Sequence, residues 1–284
     1  MFLKILILAV IQGAAELLPV SSSAHVIIAE RLMGLDPTSP SMTLLLVMLH
    51  TGTMFAVIVY FWKSWRASFF SSREKFWEAV KYIAVATAIT GAVGLTIKYF
   101  IEKYMFRDVP HAQIELLFGN LTLIAVSLAA VGVLIILAGI RGKHRGRIAR
   151  LGLRESSLIG AVQGLCLPFR GFSRSGATIS VGLLLNIAKD KAEEFSFALA
   201  VVLTPPVVAR EVLRLIKAKD VIPASGINFS IFYPSLLGMC LSFISGLLAL
   251  GWLSNWLEKG KWQVFGFYCI CISVVVFMLQ RIGY

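Results

Sequence analysis

Two polar turns interrupt sequence that is otherwise apolar enough to sit in a bilayer, and they are near copies of one another. One reads Gln12-Gly-Ala-Ala-Glu-Leu-Leu-Pro-Val-Ser-Ser-Ser-Ala-His25, the other Gln163-Gly-Leu-Cys-Leu-Pro-Phe-Arg-Gly-Phe-Ser-Arg-Ser-Gly-Ala-Thr178. Each carries Gln-Gly, a short apolar step, Leu-Pro and a serine-rich turn. Backbone that leaves the helix at membrane depth is tolerated only where protein buries it or a watery cavity receives it. A repeated pair of such turns therefore predicts one central polar site built from two halves of the chain.

The rest of the sequence supports a membrane setting. Of 284 residues, 58% are hydrophobic and 15% charged, and the mean hydropathy is +0.82, well beyond an ordinary soluble domain. Apolar segments follow one another without a polar linker, so residues 1–284 read as one integral-membrane domain. The first apolar stretch, from Phe2, runs straight into the Gln12 motif rather than into a small-residue cleavage site, so no cleavable signal peptide is expected.

A net charge of +12 raises the question of nucleic acid, but its distribution answers otherwise. The densest run, Arg141-Gly-Lys-His-Arg-Gly-Arg-Ile-Ala-Arg150, is a short loop between apolar segments. Such loops mark the cytoplasmic side and attract anionic headgroups. Cys166, Cys240, Cys269 and Cys271 lie within apolar segments without metal-ligand spacing and read as packing residues.

About 20 apolar residues are needed to cross the hydrocarbon core. Six segments pass that filter: Ser41 to Trp62, Trp77 to Ile101, Ile114 to Ile140, Ala192 to Ile216, Pro234 to Leu257 and Gln263 to Leu279. The two motif regions, 2–33 and 156–187, each hold two half-length helices broken by Pro and by Ser or Gly, which predicts re-entrant hairpins. The fold class expected is an all-α polytopic membrane protein of two inverted-topology repeats, about 1–140 and 141–284. Lys63, Arg66, Arg73 and Lys75 place the 63–76 loop in the cytoplasm with the 141–154 loop, and both termini outside. One hairpin then enters from each side.

Within the first hairpin Gln12 and Glu16 are four apart and stack on one helix face. A carboxylate near the bilayer centre costs about 2.5 to 3.5 kcal/mol on insertion scales, so Glu16 should have a partner. A divalent cation, held by Glu16 and the Gln12 amide, and a cationic side chain such as Arg174 are the two candidates. Pro19 ends the first half-helix and Ser21 can cap the next, whose free N-terminus suits an anion. Ser22 and His25 are three apart, so His25 can exchange protons with a serine hydroxyl or a phosphate oxygen.

The second hairpin brings positive charge. Gly171, Ser173, Arg174, Ser175 and Thr178 combine flexible backbone, hydroxyls and a planar guanidinium fork that matches phosphate oxygens. Arg170 offers a second guanidinium. His50, Glu115, Asn120 and the Arg210-Glu211 pair, also within apolar spans, either line the cavity or hydrogen-bond between helices, with the second reading favoured, and Thr204-Pro205-Pro206 reads as a helix kink.

At these residues the chain resembles the undecaprenyl-diphosphate phosphatase family, also called bacitracin-resistance proteins. That family carries Glu/Gln-x-x-x-Glu, then Leu-Pro-Val-Ser-Ser and a nearby His, matched by Gln12, Glu16, Leu18 to Ser22 and His25. Its second motif, Pro-Gly-x-Ser-Arg-Ser-x-x-Thr, is matched by Gly171, Ser173, Arg174, Ser175 and Thr178, with Arg170 standing in place of the proline. Glu194-Phe-Ser-Phe197 and the Leu49 to Trp62 span extend the likeness over most of the chain.

The resemblance implies interlocked inverted repeats and hydrolysis of undecaprenyl diphosphate to undecaprenyl phosphate. That reaction recycles the lipid carrier for cell-wall synthesis and underlies bacitracin resistance. It also implies a multi-pass protein of the bacterial plasma membrane, a site open to the periplasm or exterior, and a divalent cation, Mg2+ or Ca2+. Glu16, Ser22, His25 and Arg174 would be catalytic; Ser21, Gly171, Ser173, Ser175 and Thr178 would bind phosphate; Gln12 and Glu16 would hold the metal. The partners expected are a polyprenyl diphosphate substrate and membrane lipids, without nucleic acid, and a homodimer is an open alternative to a monomer. A polyprenyl-phosphate transporter or flippase on the same inverted-repeat plan is the competing reading.

Overall fold

The computed structural model describes residues 2–36, 39–104, 117, 119–141, 151–217 and 229–282. Among them the regular elements are ten α-helices. The first hairpin is α1 (Phe2–Leu17) and α2 (Ser22–Leu32); α3 (Pro40–Ser68), α4 (Arg73–Tyr104) and α5 (Leu121–Arg141) follow. The second hairpin is α6 (Leu153–Cys166) and α7 (Arg174–Leu184), followed by α8 (Lys189–Lys217), α9 (Phe229–Glu258) and α10 (Trp262–Arg281). Helices α3, α4, α5, α8, α9 and α10 are the six long and apolar enough to cross a membrane.

Local sequence explains the boundaries. Helix α1 stops where Leu18-Pro19 begins and α6 stops just before Pro168, because proline lacks the N–H that would continue the ladder and biases its predecessor out of the helix. At the start of α3, Ser39 accepts the Met42 amide and Pro40 takes the first turn, where its missing N–H costs nothing. Helix α5 begins at Leu121, later than the expected Ile114, because Asn120 caps it by accepting the Leu123 amide. Most spans are longer than expected: α3, for example, continues past Trp62 to Ser68, carrying Lys63 and Arg66. Helix α8 runs through Pro205 and Pro206 without ending. The 142–150 basic run, Glu115, Asp108 to Pro110 and Ser225-Gly226 lie outside the described residues.

The two halves interlock. Matching α1–α5 with α6–α10 in order, α1 packs on α9 and α6 packs on α4, so each hairpin leans on the fourth helix of the other half. The central pairs, α3 with α8 and α5 with α10, join equivalent helices. Three spanning helices separate one hairpin from the next, so the hairpins enter from opposite faces.

Glycine permits these crossings. A Cβ on Gly13 would lie 2.6 Å from the Ser242 carbonyl of α9, and one on Gly164 would lie 2.9 Å from the Thr90 carbonyl of α4. Each is the glycine of its Gln-Gly pair. At the α5–α10 crossing, Gly132 and Gly266 each face the other's carbonyl at comparable distance. Apolar tails do not drive helices together in lipid, so this close backbone approach is what holds them. Leu17, Ile124, Leu128, Ile179, Phe197 and Leu250 pack around the hairpin tips.

Candidate functional site

Both hairpin turns bend sharply, by different means. Ser21 adopts φ 67°, a left-handed conformation unusual for a residue with a side chain. Gly171 adopts φ 99°, where a Cβ would stand 2.5 Å from the Ile124 carbonyl, so only glycine fits. These bends aim the N-termini of α2 and α7 at a common cavity of about 270 Å³. No side chain caps α2, whereas Ser173 caps α7 by accepting the Gly176 amide. The first-turn amides of both helices, with their partial positive charge, therefore favour an anion in the cavity.

Glu16 stands at the junction. Its Oε1 accepts from Arg174 Nη2 at 2.9 Å, which joins the two hairpins by an ion pair. Its Oε2 accepts from Ser22 Oγ at 2.5 Å and from Gln12 Nε2 at 3.1 Å. Of the two partners expected for Glu16, the arginine is the one this ion pair supplies. The two side chains are 18% and 21% exposed, so the pair lies at the edge of the cavity rather than sealed from it. Ser175 Oγ donates to the Leu18 carbonyl, the Gly171 amide donates to Ser23 Oγ, and Cys269 Sγ donates to the Pro19 carbonyl, which fix the turns against each other and against α10.

The cavity is lined by Glu16, Ser21, Ser22, Ser173, Arg174 and Ser175 among the expected residues. Gly171 shapes the turn beside it. Thr178 is not a lining residue: it is buried and bonded to the Arg174 carbonyl at 2.8 Å and to Ser196 Oγ at 2.6 Å, which ties α7 to α8. His25 is not paired with Ser22. Its Nδ1 donates to the Ser21 carbonyl at 2.8 Å and its Nε2 accepts from the Tyr268 hydroxyl at 2.8 Å, with the two rings stacked. The imidazole thus braces the strained turn.

Three residues gain weight from the structure. Arg170 lines the cavity. Of the two roles open to His50, the structure favours the cavity, which it lines with Nδ1 2.9 Å from Gln12 Nε2 and 3.6 Å from Glu16 Oε2. Tyr268 was not singled out by sequence, because a tyrosine in an apolar span reads as packing. For His50 the signal was present: a titratable side chain inside an apolar span is a functional candidate by default. Arg210 and Glu211 lie on α8 and do not line the cavity.

The expected metal pair does not fit as placed. Gln12 turns its amide nitrogen to Glu16, and the reverse orientation would set oxygen against carboxylate oxygen. A hard cation needs oxygen ligands. Both Glu16 oxygens already accept hydrogen bonds, and among the described residues no three His, Cys, Asp or Glu side chains cluster to hold an ion.

The second copy of the motif has diverged. Gln163 donates to Thr90 Oγ1 of α4 rather than to a histidine, and the position of Glu16 is Leu167. One hairpin supplies the carboxylate and serine, the other the guanidinium.

Residues 5–275 match the family model described as bacitracin resistance protein BacA. The chain is 56% identical to undecaprenyl-diphosphatase 2 of Acinetobacter baylyi over 281 residues, covering 98% of this chain and 97% of that protein. It is 31% identical to the undecaprenyl-diphosphatase of Renibacterium salmoninarum over 286 residues, covering 98% and 95%. The enzyme of the same name from Halothermothrix orenii is 28% identical over 279 residues, covering 98% of each.

Proposed function

The chain belongs to the bacitracin resistance protein BacA family, and from that premise we propose how its cavity hydrolyses undecaprenyl diphosphate to undecaprenyl phosphate and inorganic phosphate. The protein is a multi-pass membrane hydrolase, and its diphosphatase activity follows from its likeness to enzymes of that name. The observation that carries the mechanism is the 2.5 Å bond from Ser22 Oγ to Glu16 Oε2. It places an activated hydroxyl beside a base, at the mouth of a helix N-terminus, with Arg174 bonded to the same carboxylate.

The terminal phosphate enters against the α7 N-terminus and Arg174. Ser22 Oγ attacks phosphorus and its proton passes to Glu16 Oε2. The Oγ–P bond forms, the bridging P–O bond breaks, and undecaprenyl phosphate leaves with the electron pair. After Glu16 passes its proton to solvent, it takes one from an entering water. That water attacks phosphorus, the Oγ–P bond breaks, and Ser22 recovers a proton as phosphate departs. Arg174 and the helix amides stabilise charge on the phosphoryl oxygens throughout.

A divalent cation, implied by the family resemblance, would not be held by Gln12 and Glu16 as they are bonded here; supplied with the diphosphate, it would neutralise charge on the phosphoryl oxygens. The site opens to the periplasm or exterior of the plasma membrane, a reading supported by Lys63, Arg66, Arg73 and Lys75, whose positive charge belongs on the cytoplasmic side. A transporter would need neither a base nor a nucleophile at van der Waals reach. Phosphate release from undecaprenyl diphosphate by detergent-purified protein, with and without chelator, tests the reading; no release under either condition removes it.

A further inference from the structure

The side chain of His50 is 44% exposed and reaches the cavity from α3, outside both hairpin motifs. Its two ring nitrogens are in different circumstances. Nδ1 faces Gln12 Nε2 at 2.9 Å. An amide nitrogen only donates, so Nδ1 must accept, and in a neutral imidazole the proton then sits on Nε2. Gln12 can hold this arrangement because its two N–H bonds are divided, one to His50 and one to Glu16 Oε2. Among the described residues nothing in the protein bonds Nε2, which lies on the ring edge turned away from Gln12 and Glu16.

We infer that His50 binds the phosphoryl group under attack, donating Nε2–H to one of its non-bridging oxygens, in the tautomer that Gln12 fixes. The inference rests on the diphosphatase reading above. Its geometry decides which oxygen. Attacking and leaving oxygens lie in line on opposite sides of phosphorus. His50 Nδ1 is 3.6 Å from the same Oε2 that accepts from Ser22, so the ring stands on the nucleophile's side. From there it reaches an equatorial oxygen and not the bridging one. Equatorial oxygens gather charge as the bond breaks, so the contact strengthens in the transition state and acts on kcat more than on KM. Gln12 is then a positioning residue, because its amide hydrogen keeps Nδ1 an acceptor.

The test compares phosphate release by detergent-purified wild type, His50→Ala, His50→Gln and Gln12→Met. Loss of one preorganised donor predicts that His50→Ala lowers kcat by about a hundred- to thousandfold with KM changed far less. His50→Gln should recover most of that loss, because its amide nitrogen extends about as far as Nε2; a residue that only packs would not be rescued by a flexible amide. In Gln12→Met, Nδ1 is free to donate to Glu16 and Nε2 becomes an acceptor, so kcat should fall, and adding His50→Ala should cost little more. Near-normal kcat in His50→Ala, or a folded His50→Gln as slow as His50→Ala, overturns the inference. Wild type that releases no phosphate would instead remove the underlying diphosphatase reading.

Discussion

Arg174 and Glu16 are 158 residues apart in sequence, yet Arg174 Nη2 donates to Glu16 Oε1 at 2.9 Å across the meeting point of the two hairpins. The pair does two things at once. It neutralises a carboxylate that would be costly alone at membrane depth, and it leaves the rest of the guanidinium fork for phosphate oxygens. Arg174→Ala should therefore reduce turnover by about a thousandfold or more, the scale of an arginine that stabilises phosphoryl-transfer charge. It should also lower the melting temperature, because Glu16 loses its counter-charge. Adding Glu16→Gln should restore stability without restoring activity, as read by thermal unfolding and phosphate release in parallel. Recovery of both would assign Arg174 a structural role only.

Ser22 and Glu16 make a second separable prediction. Glu16→Gln keeps the shape but removes the base, and a positioned base contributes about a hundred- to ten-thousandfold. Ser22→Ala removes the nucleophile. If Ser22 attacks, rapid quenching of the wild type should trap phosphoserine at position 22, and Ser22→Ala should trap none. Full turnover in Ser22→Ala would transfer the attack to water.

The interlock is testable at glycines alone. On Gly160 of α6 a Cβ would lie 2.4 Å from the Ala86 carbonyl and 2.8 Å from its Cα, so Gly160→Ala must push two backbones apart. Overpacking of this kind costs about 1 to 3 kcal/mol. Gly91, on α4, has nothing within 4 Å of the same added atom, and Gly91→Ala should be neutral or stabilising by up to about 1 kcal/mol through helix propensity. Thermal unfolding of the two variants in one detergent separates them, and equal melting temperatures would contradict the packing described.

Much of this was legible beforehand because the bilayer leaves few options. Apolar runs of spanning length gave the six long helices, and Pro19 and Pro168 marked the hairpin breaks, since neither can continue a ladder. Glu16 and Arg174 stood out because charge in apolar sequence needs a partner. Pattern alone could not show which side chains would turn toward the cavity. Ser22 and His25 share a helix face, yet Ser21 at φ 67° presents its carbonyl to His25 and draws the imidazole away from Ser22 toward Tyr268. His50 carried a signal as a titratable side chain in an apolar span, but its meeting with Gln12 at the crossing of α3 with α1 is a tertiary contact that local spacing does not show. Spacing also could not show which end of the Gln12 amide faces Glu16, because an amide carries both an oxygen and a nitrogen; here the nitrogen does.

Cation dependence should separate activity from stability. An ion resident on the protein would raise the melting temperature of substrate-free protein by mass action. With both Glu16 oxygens already accepting hydrogen bonds, chelator should instead slow phosphate release and leave the substrate-free melting temperature unchanged. A chelator-induced fall in melting temperature, reversed by Mg2+ or Ca2+, would place the ion on the protein.

His25 and Tyr268 form a chain that ends on the backbone of the nucleophile's neighbour. Tyr268 donates to Nε2, Nδ1 donates to the Ser21 carbonyl, and Ser22 follows directly. This geometry predicts that His25 acts on Ser22 through the turn, as a positioning residue. Losing one such hydrogen bond is worth about 0.5 to 1.5 kcal/mol, so His25→Ala should slow turnover by roughly tenfold through kcat. Tyr268→Phe should act in the same direction and less strongly. Because the two side chains work in series, the double variant should be no slower than His25→Ala, a coupling that a double-mutant cycle on kcat measures directly. Additive losses would mean that His25 and Tyr268 act separately, and a loss of several thousandfold in His25→Ala would mean that the imidazole leaves Tyr268 and meets the substrate itself.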